Sequence, residues 1–109
     1  MLIRWSPEAA DDLARIVDFI NRDNPAAARR VADTVLRRCD DLQALPERGR
    51  PGRIVGTREL VLVPLPYIVV YRVRPDAVEI VRIYQRAELA VNRIPPQSAA
   101  AAAIPARCR

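Results

Sequence analysis

The chain contains no histidine and no lysine, and only two of its 109 residues are cysteine, Cys39 and Cys108. Without histidine, catalysis by a Ser–His or a Cys–His pair is excluded. The two cysteines do not have the spacing of zinc ligands, so we expect neither a metal nor a cofactor. Cys39 falls on the apolar stripe of a helical pattern, which is typical of an inert, buried thiol.

Long apolar runs are also missing. No segment reaches the length that spans a bilayer, and residues 1–5 lack the basic region and apolar run of a signal peptide. We therefore expect a cytoplasmic protein with no membrane partner. The length predicts one domain, and since half of the residues are apolar the chain can bury a small core.

Positive charge is plentiful. All 18 basic residues are arginine, and the formal net charge is +5. One interpretation is a GC-rich genome, in which arginine and alanine are both abundant. The other is functional, because arginine binds carboxylates and phosphates with two parallel hydrogen bonds. Such a surface suits nucleic acid, an acidic protein partner, or both.

Three runs of β-branched and aromatic residues dominate the second half of the chain, at 60–63, 67–73 and 78–84. Pro64 and Pro66 interrupt the first connection, and proline cannot donate to a strand ladder. A Pro-Asp pair in the second connection favours a type I turn. The pattern predicts an antiparallel three-strand meander. Its strands are apolar on both faces, so we expect both to be covered, one by helices and the other by a partner.

Two amphipathic helices precede the meander. Ser6 followed by proline, and Asn24 followed by proline, are typical helix starts. Apolar residues then recur at helical spacing, while the polar side chains, Asp12 among them, are expected to face away. Residues 2–5 suit an edge strand. The predicted fold class is α+β, in the order β-α-α-β-β-β, with an antiparallel sheet and a helical hairpin packed on one face.

Residues 46–53 form an arginine- and glycine-rich segment, which we call the arginine loop. Two interpretations stay open for it, a solvated connector or a functional loop on a rigid scaffold. The composition changes abruptly to alanine and proline near residue 95. We expect a domain over residues 1–92 and a tail over 93–109 that is disordered or ordered by a partner.

Several short motifs, in this order and spacing, resemble the RelE/ParE superfamily of bacterial type II toxins. They are Trp5-Ser6-Pro7, Asn24-Pro25-Ala26-Ala27, Leu45-Pro46, Gly49-Arg50, Gly56-Thr57-Arg58-Glu59-Leu60 and Pro66-Tyr67-Ile68-Val69-Val70-Tyr71-Arg72-Val73. The resemblance covers Ile3 to Arg86. The Gly-Thr-Arg-Glu-Leu run is closer to ParE, the plasmid-stabilisation toxin.

The resemblance implies a toxin that a cognate ParD/RelB-like antitoxin neutralises in a hetero-oligomer. The antitoxin would bury apolar surface and pair with arginines, and the residues expected to bind it are Trp5, Arg58, Arg72 and Arg82. Within the superfamily, ParE-like members poison DNA gyrase without being nucleases. RelE-like members instead cut mRNA on the ribosome.

The residues that carry RelE-type cleavage are mostly absent. The two lysines of that family fall on Glu59 and Val61, and an arginine falls on Ile68. Since an anionic Glu59 would repel RNA, a non-enzymatic gyrase inhibitor is favoured. An inactive relic that still binds antitoxin is a further alternative. A ribonuclease would need a rearranged set of phosphate-binding arginines, with Tyr84 as a possible proton donor. The candidate arginines are Arg50, Arg53, Arg58, Arg82 and Arg86.

Overall fold

A computed structural model describes residues 2–86, in which five strands form one sheet and two helices cover one of its faces. The strand order is β1-β5-β4-β3-β2. A short 3₁₀ turn, Asp41–Gln43, follows the second helix. The elements are β1 Leu2–Trp5, α1 Pro7–Asn21, α2 Pro25–Asp40, β2 Arg50–Pro51, β3 Arg58–Val61, β4 Tyr67–Val73 and β5 Ala77–Gln85.

Both helices begin where the sequence predicts. The Ser6 hydroxyl accepts a hydrogen bond from the Ala9 N–H at 3.0 Å. The Asn24 side-chain oxygen likewise accepts from the Ala27 N–H at 3.1 Å. In each helix proline occupies the first turn, where its missing N–H has no helical partner to lose. The capping signal is local, so it could be read without knowledge of the fold.

The meander is confirmed, with β3, β4 and β5 antiparallel and Leu60, Val69 and Ile83 aligned across them. The fold class is confirmed too, although the sheet is mixed rather than wholly antiparallel. β1 runs parallel to β5, from Leu2 opposite Ala77 to Trp5 opposite Ile80. Alternation of side chains in a four-residue strand does not specify its partner, which is why the sequence left this pairing open.

One strand was missed. Residues Arg50–Pro51, assigned above to the arginine loop, pair with β3 and form the outer edge of the sheet. A strand of two residues has too little alternation to be recognised in a sequence. Proline is tolerated there because an edge strand needs no donor on its outer side.

The core lies between the sheet and the helical hairpin. Its largest fully buried side chains are Tyr71, Leu42, Leu62, Ile80, Val35, Val69, Val78 and Cys39. The cross-strand pairs define a second face, directed away from the helices, which consists of Glu59, Val61, Ile68, Val70, Arg72, Glu79, Arg82 and Tyr84. All five residues from Tyr67 to Tyr71 are buried, so β4 is covered on both sides.

Some predictions fall beyond the described residues. The alanine- and proline-rich tail over 93–109 and Cys108 lie outside them. Within residues 2–86 no helix is long and apolar enough to cross a membrane. The same part of the chain holds no group of three or more acidic, histidine or cysteine side chains placed to ligate a metal ion.

Candidate functional site

Asp12 was expected to face away from the protein, because it lies among polar residues. In the structure it faces inward. Its side chain is only 5% exposed. One carboxylate oxygen accepts hydrogen bonds from Arg82 Nε at 2.7 Å and from the Ile83 N–H at 2.9 Å. The other accepts from Arg82 Nη2 at 3.1 Å. Because β1 ends opposite Ile80, the edge of β5 beyond it is unpaired, and Asp12 takes the place of a neighbouring strand there.

Arg82 is therefore part of the connection between α1 and the sheet. Its guanidinium carbon also lies 5.1 Å from the centre of the Tyr84 ring, a cation–π distance. Arg15 adds a second cation on Asp12, at 2.9 Å. The ribonuclease hypothesis assigned Arg82 and Tyr84 to phosphate and proton chemistry. The structure does bring the two side chains together, but with the guanidinium bound to a carboxylate.

The opposite edge of the sheet is closed in a similar way. β2 pairs only with Arg58 and Glu59, so the following part of β3 has β4 on one side and no strand on its outer side. Arg38, from α2, donates hydrogen bonds to the Val61 carbonyl at 3.4 Å and the Val63 carbonyl at 3.3 Å. At both edges a charged side chain from a helix occupies the main-chain groups that another strand would use, which protects the edge from pairing with a further chain.

Glu59 is buried, at 5% exposed, rather than presented to solvent. One carboxylate oxygen lies 3.2 Å from Arg50 Nη2, and the other accepts the Arg53 N–H at 3.2 Å. The expectation that Glu59 would simply repel RNA is incomplete, because Arg50 neutralises its charge. The carboxylate instead connects β3 to the second half of the arginine loop.

Arg58 and Tyr71 hold the first part of the arginine loop. Arg58 Nη1 donates to the Gly49 carbonyl at 2.6 Å and to the Glu47 carbonyl at 3.3 Å. The Tyr71 hydroxyl donates to the Pro46 carbonyl and accepts from the Gly49 N–H, both at 2.8 Å. Burial raises the pKa of Tyr71 above its ordinary value of 10.0. A Cβ at Gly49 would lie 2.7 Å from the tyrosine oxygen, so only glycine fits.

The arginines named for an RNA cradle do not share one surface. Arg58 pairs across the sheet with Tyr71, on the side that faces the core. Arg82 pairs with Val70 and belongs to the second face. Arg50 lies opposite Glu59 on the same face, and Glu59 joins the Arg50 guanidinium to the Arg53 main-chain N–H. Their grouping in the sequence reflected charge alone, and the carboxylate and carbonyl partners lie on other elements.

An open apolar groove runs along α1 on the helical side of the molecule. Its apolar lining includes Trp5 from β1, Leu13 and Val17 from α1, and Leu36 from α2. Ala10 and Ala14 complete the apolar lining and leave room for close approach, and the polar Asp18 and Asn21 also line the groove. Trp5, predicted to bind the antitoxin, therefore lies in a groove that the other expected contacts do not enter.

Arg72 lies elsewhere, on the second face. Its side chain is 39% exposed, and it forms a loose ion pair with Glu79 at 3.8 Å. Arg72 and Trp5 thus keep accessible surface for a partner. The other two residues predicted to bind antitoxin have partners within the chain. Arg58 donates to main-chain carbonyls, and Arg82 pairs with Asp12.

Known toxin sequences are similar to most of this chain. The sequence profile described as ParE toxin of type II toxin–antitoxin system, parDE, matches residues 3–90. The Sinorhizobium fredii protein Y4kP, named as a candidate toxin, is 46% identical over 81 residues, which cover 74% of this chain and 83% of that protein.

Two solved structures are similar. A chain of the chromosomal ParDE TA system from P. aeruginosa superposes with a TM-score of 0.72 at 30% identity, covering 78% of this chain and 95% of that one. The YoeB/ParE toxin from Agrobacterium tumefaciens gives a TM-score of 0.55 at 17% identity, covering 78% and 98% respectively. The second similarity supports the fold alone.

Proposed function

The chain belongs to the ParE toxin family of type II toxin–antitoxin systems, and from this premise we propose that it poisons DNA gyrase and has no nuclease activity. The main support for the proposal is that two strand arginines already bind partners inside the protein. Arg82 is bound to Asp12, and Arg58 is bound to two main-chain carbonyls. Both guanidinium groups already have partners within the chain.

Cleavage of RNA without histidine requires cationic groups that converge on the phosphate, together with a group that moves the proton. Turning Arg82 toward RNA would leave the Asp12 carboxylate buried without its main partner, which is strongly unfavourable. Arg50 already neutralises Glu59. The geometry therefore disfavours the RelE-like alternative, in which these arginines and Arg86 act with Tyr84.

A cognate antitoxin is the second part of the proposal. We place an amphipathic antitoxin segment in the groove formed by Trp5, Leu13, Val17 and Leu36, because a helix with an apolar face is the usual occupant of such a groove. An antitoxin carboxylate would reach Arg72 on the second face. The resulting hetero-oligomer would be cytoplasmic, where gyrase acts.

The test is a gyrase assay with supercoiled plasmid and the purified chain. Linear DNA should accumulate as the toxin is titrated in, and stoichiometric antitoxin should reverse the effect. Ribosomes programmed with mRNA are the parallel control and should leave the message intact. Cut mRNA with uncut plasmid would contradict the proposal in favour of the RelE-like activity. No effect in either assay would favour a relic that only binds antitoxin.

A further inference from the structure

The segment after the arginine loop exposes two apolar side chains at its tip. Ile54 is 62% exposed and Val55 is 96% exposed. We call these two residues the loop tip. Single exposed apolar residues are common on protein surfaces, whereas Ile54 and Val55 are adjacent and both β-branched.

The loop tip is held in place by hydrogen bonds. The Gly52 N–H donates to the Thr57 carbonyl at 2.8 Å, and the Thr57 N–H donates to the Ile54 carbonyl at 3.1 Å. The Thr57 hydroxyl donates to the same Ile54 carbonyl at 2.6 Å. Gly56 has a φ of +88°, which a side chain would strain. Val55 thus lies on a turn that hydrogen bonds hold in one conformation, so little conformational entropy would be lost on binding.

Positive charge predominates in the segment that leads into the loop tip. Arg48, Arg50 and Arg53 are exposed, and Glu47 is the exposed acidic residue of this segment. Glu59 is buried beneath the loop with Arg50 on it. An apolar tip bordered by guanidinium groups complements an apolar recess bordered by carboxylates.

We propose that the loop tip, with its arginine border, is the surface that docks into an acid-bordered apolar recess on the toxin's protein target. The inference rests on the proposed function in naming gyrase as that target. A nucleic-acid partner fits less well, since a phosphate backbone offers no apolar surface to Val55. The antitoxin groove is distant in the sheet order, because Trp5 lies on β1 and the loop follows β2 at the other edge.

The test compares Val55→Asp with a matched control, Val63→Asp, which makes the same change at a 60% exposed position in the next connection. In the gyrase cleavage assay we expect Val55→Asp to require more than about tenfold more toxin than the wild type, the usual effect of losing an anchor residue. Val63→Asp should stay near the wild type. Both variants should bind antitoxin with unchanged Kd, which shows that they are folded. Wild-type potency of Val55→Asp would overturn the proposal.

A growth assay separates this inference from the proposed function. If the wild-type chain does not act on gyrase, the proposed function fails, and the loop tip is judged by growth arrest after toxin induction. Normal growth with Val55→Asp, together with intact antitoxin binding, would support the docking surface for whichever protein is the target. Unchanged arrest would overturn it. Loss of arrest in Arg48→Ser/Arg53→Ser but not in Val55→Asp would overturn it in favour of nucleic-acid contact.

Discussion

Asp12→Ala should destabilise the folded toxin far more than the same change at its neighbour, Asp11. The substitution leaves the Arg82 guanidinium without its carboxylate and the Ile83 N–H without an acceptor. Removing one member of a buried pair typically costs about 3–5 kcal/mol. Arg82 keeps 28% of its side chain exposed and can be partly rehydrated. We therefore expect the free energy of unfolding to fall by about 3 kcal/mol, near the lower end of this range. That figure includes roughly 1 kcal/mol for the unpaired Ile83 N–H.

A loss of this size is a large part of the roughly 5–15 kcal/mol that stabilises a small domain. Each kcal/mol shifts Tm by about 4–8 °C in a domain of this size, so Tm should fall by more than about 10 °C. Asp11 is 66% exposed and pairs with Arg15 at 3.4 Å. Its replacement by alanine should cost less than about 1 kcal/mol, as exposed ion pairs do.

Urea unfolding followed by circular dichroism measures both variants. Asp12→Asn should fall between the wild type and Asp12→Ala, since the amide oxygen still accepts from Ile83 but carries no charge. If the free energies of unfolding of Asp12→Ala and Asp11→Ala differed by less than about 1 kcal/mol, the Asp12 carboxylate would not stabilise the edge of β5.

Three further predictions concern the core and the groove. Tyr71→Phe should lose roughly 1–3 kcal/mol of stability in urea unfolding, because it leaves the Gly49 N–H unpaired. The control is Tyr67→Phe, whose hydroxyl has no hydrogen-bond partner among residues 2–86, and equal losses would refute the assignment. Burial raises the pKa of Cys39 to about 12, so in a Cys108→Ser variant the folded chain should resist alkylation at pH 8 while the urea-unfolded chain reacts. Fast labelling of the folded chain would contradict the burial of this thiol. Because the unfolded thiol ionises near pH 9.0, the stability that this group contributes should be lost as pH rises from 9.0 towards 12. Val17→Asp in the apolar groove should weaken antitoxin binding by more than about tenfold in calorimetry, and an unchanged Kd would remove the groove from the interface.

Features encoded in adjacent residues could be predicted from the sequence. Ser6 and Asn24 cap the helices from within three residues of the groups they bind. β4 was predicted with its observed bounds, because a seven-residue β-branched run between prolines and a turn has no competing pattern. The resemblance to the toxin superfamily was confirmed by the comparisons.

Features that depend on distant partners could not be predicted. Asp12 was assigned to the outer face of α1, since helical spacing does not reveal an unpaired main-chain group 71 residues away. The pairing of Arg82 with Asp12 was hidden for the same reason, while the binding of antitoxin by Arg82 stays a prediction. The parallel pairing of β1 and the two-residue β2 were also hidden, because short strands carry little register information. The loop tip differs, because its exposure could be recognised only once the turn at Gly56 was known.

Action on gyrase rather than on mRNA is what distinguishes the proposed function from its RelE-like alternative. The most direct measurement follows chromosomal DNA breaks and mRNA integrity in one culture, within minutes of inducing the chain without its antitoxin. If the toxin poisons gyrase, gyrase-dependent DNA breaks should appear while mRNAs remain full length. Internally cut mRNAs with an unbroken chromosome would contradict it, and would require that Arg82 leaves Asp12 when the toxin meets its target.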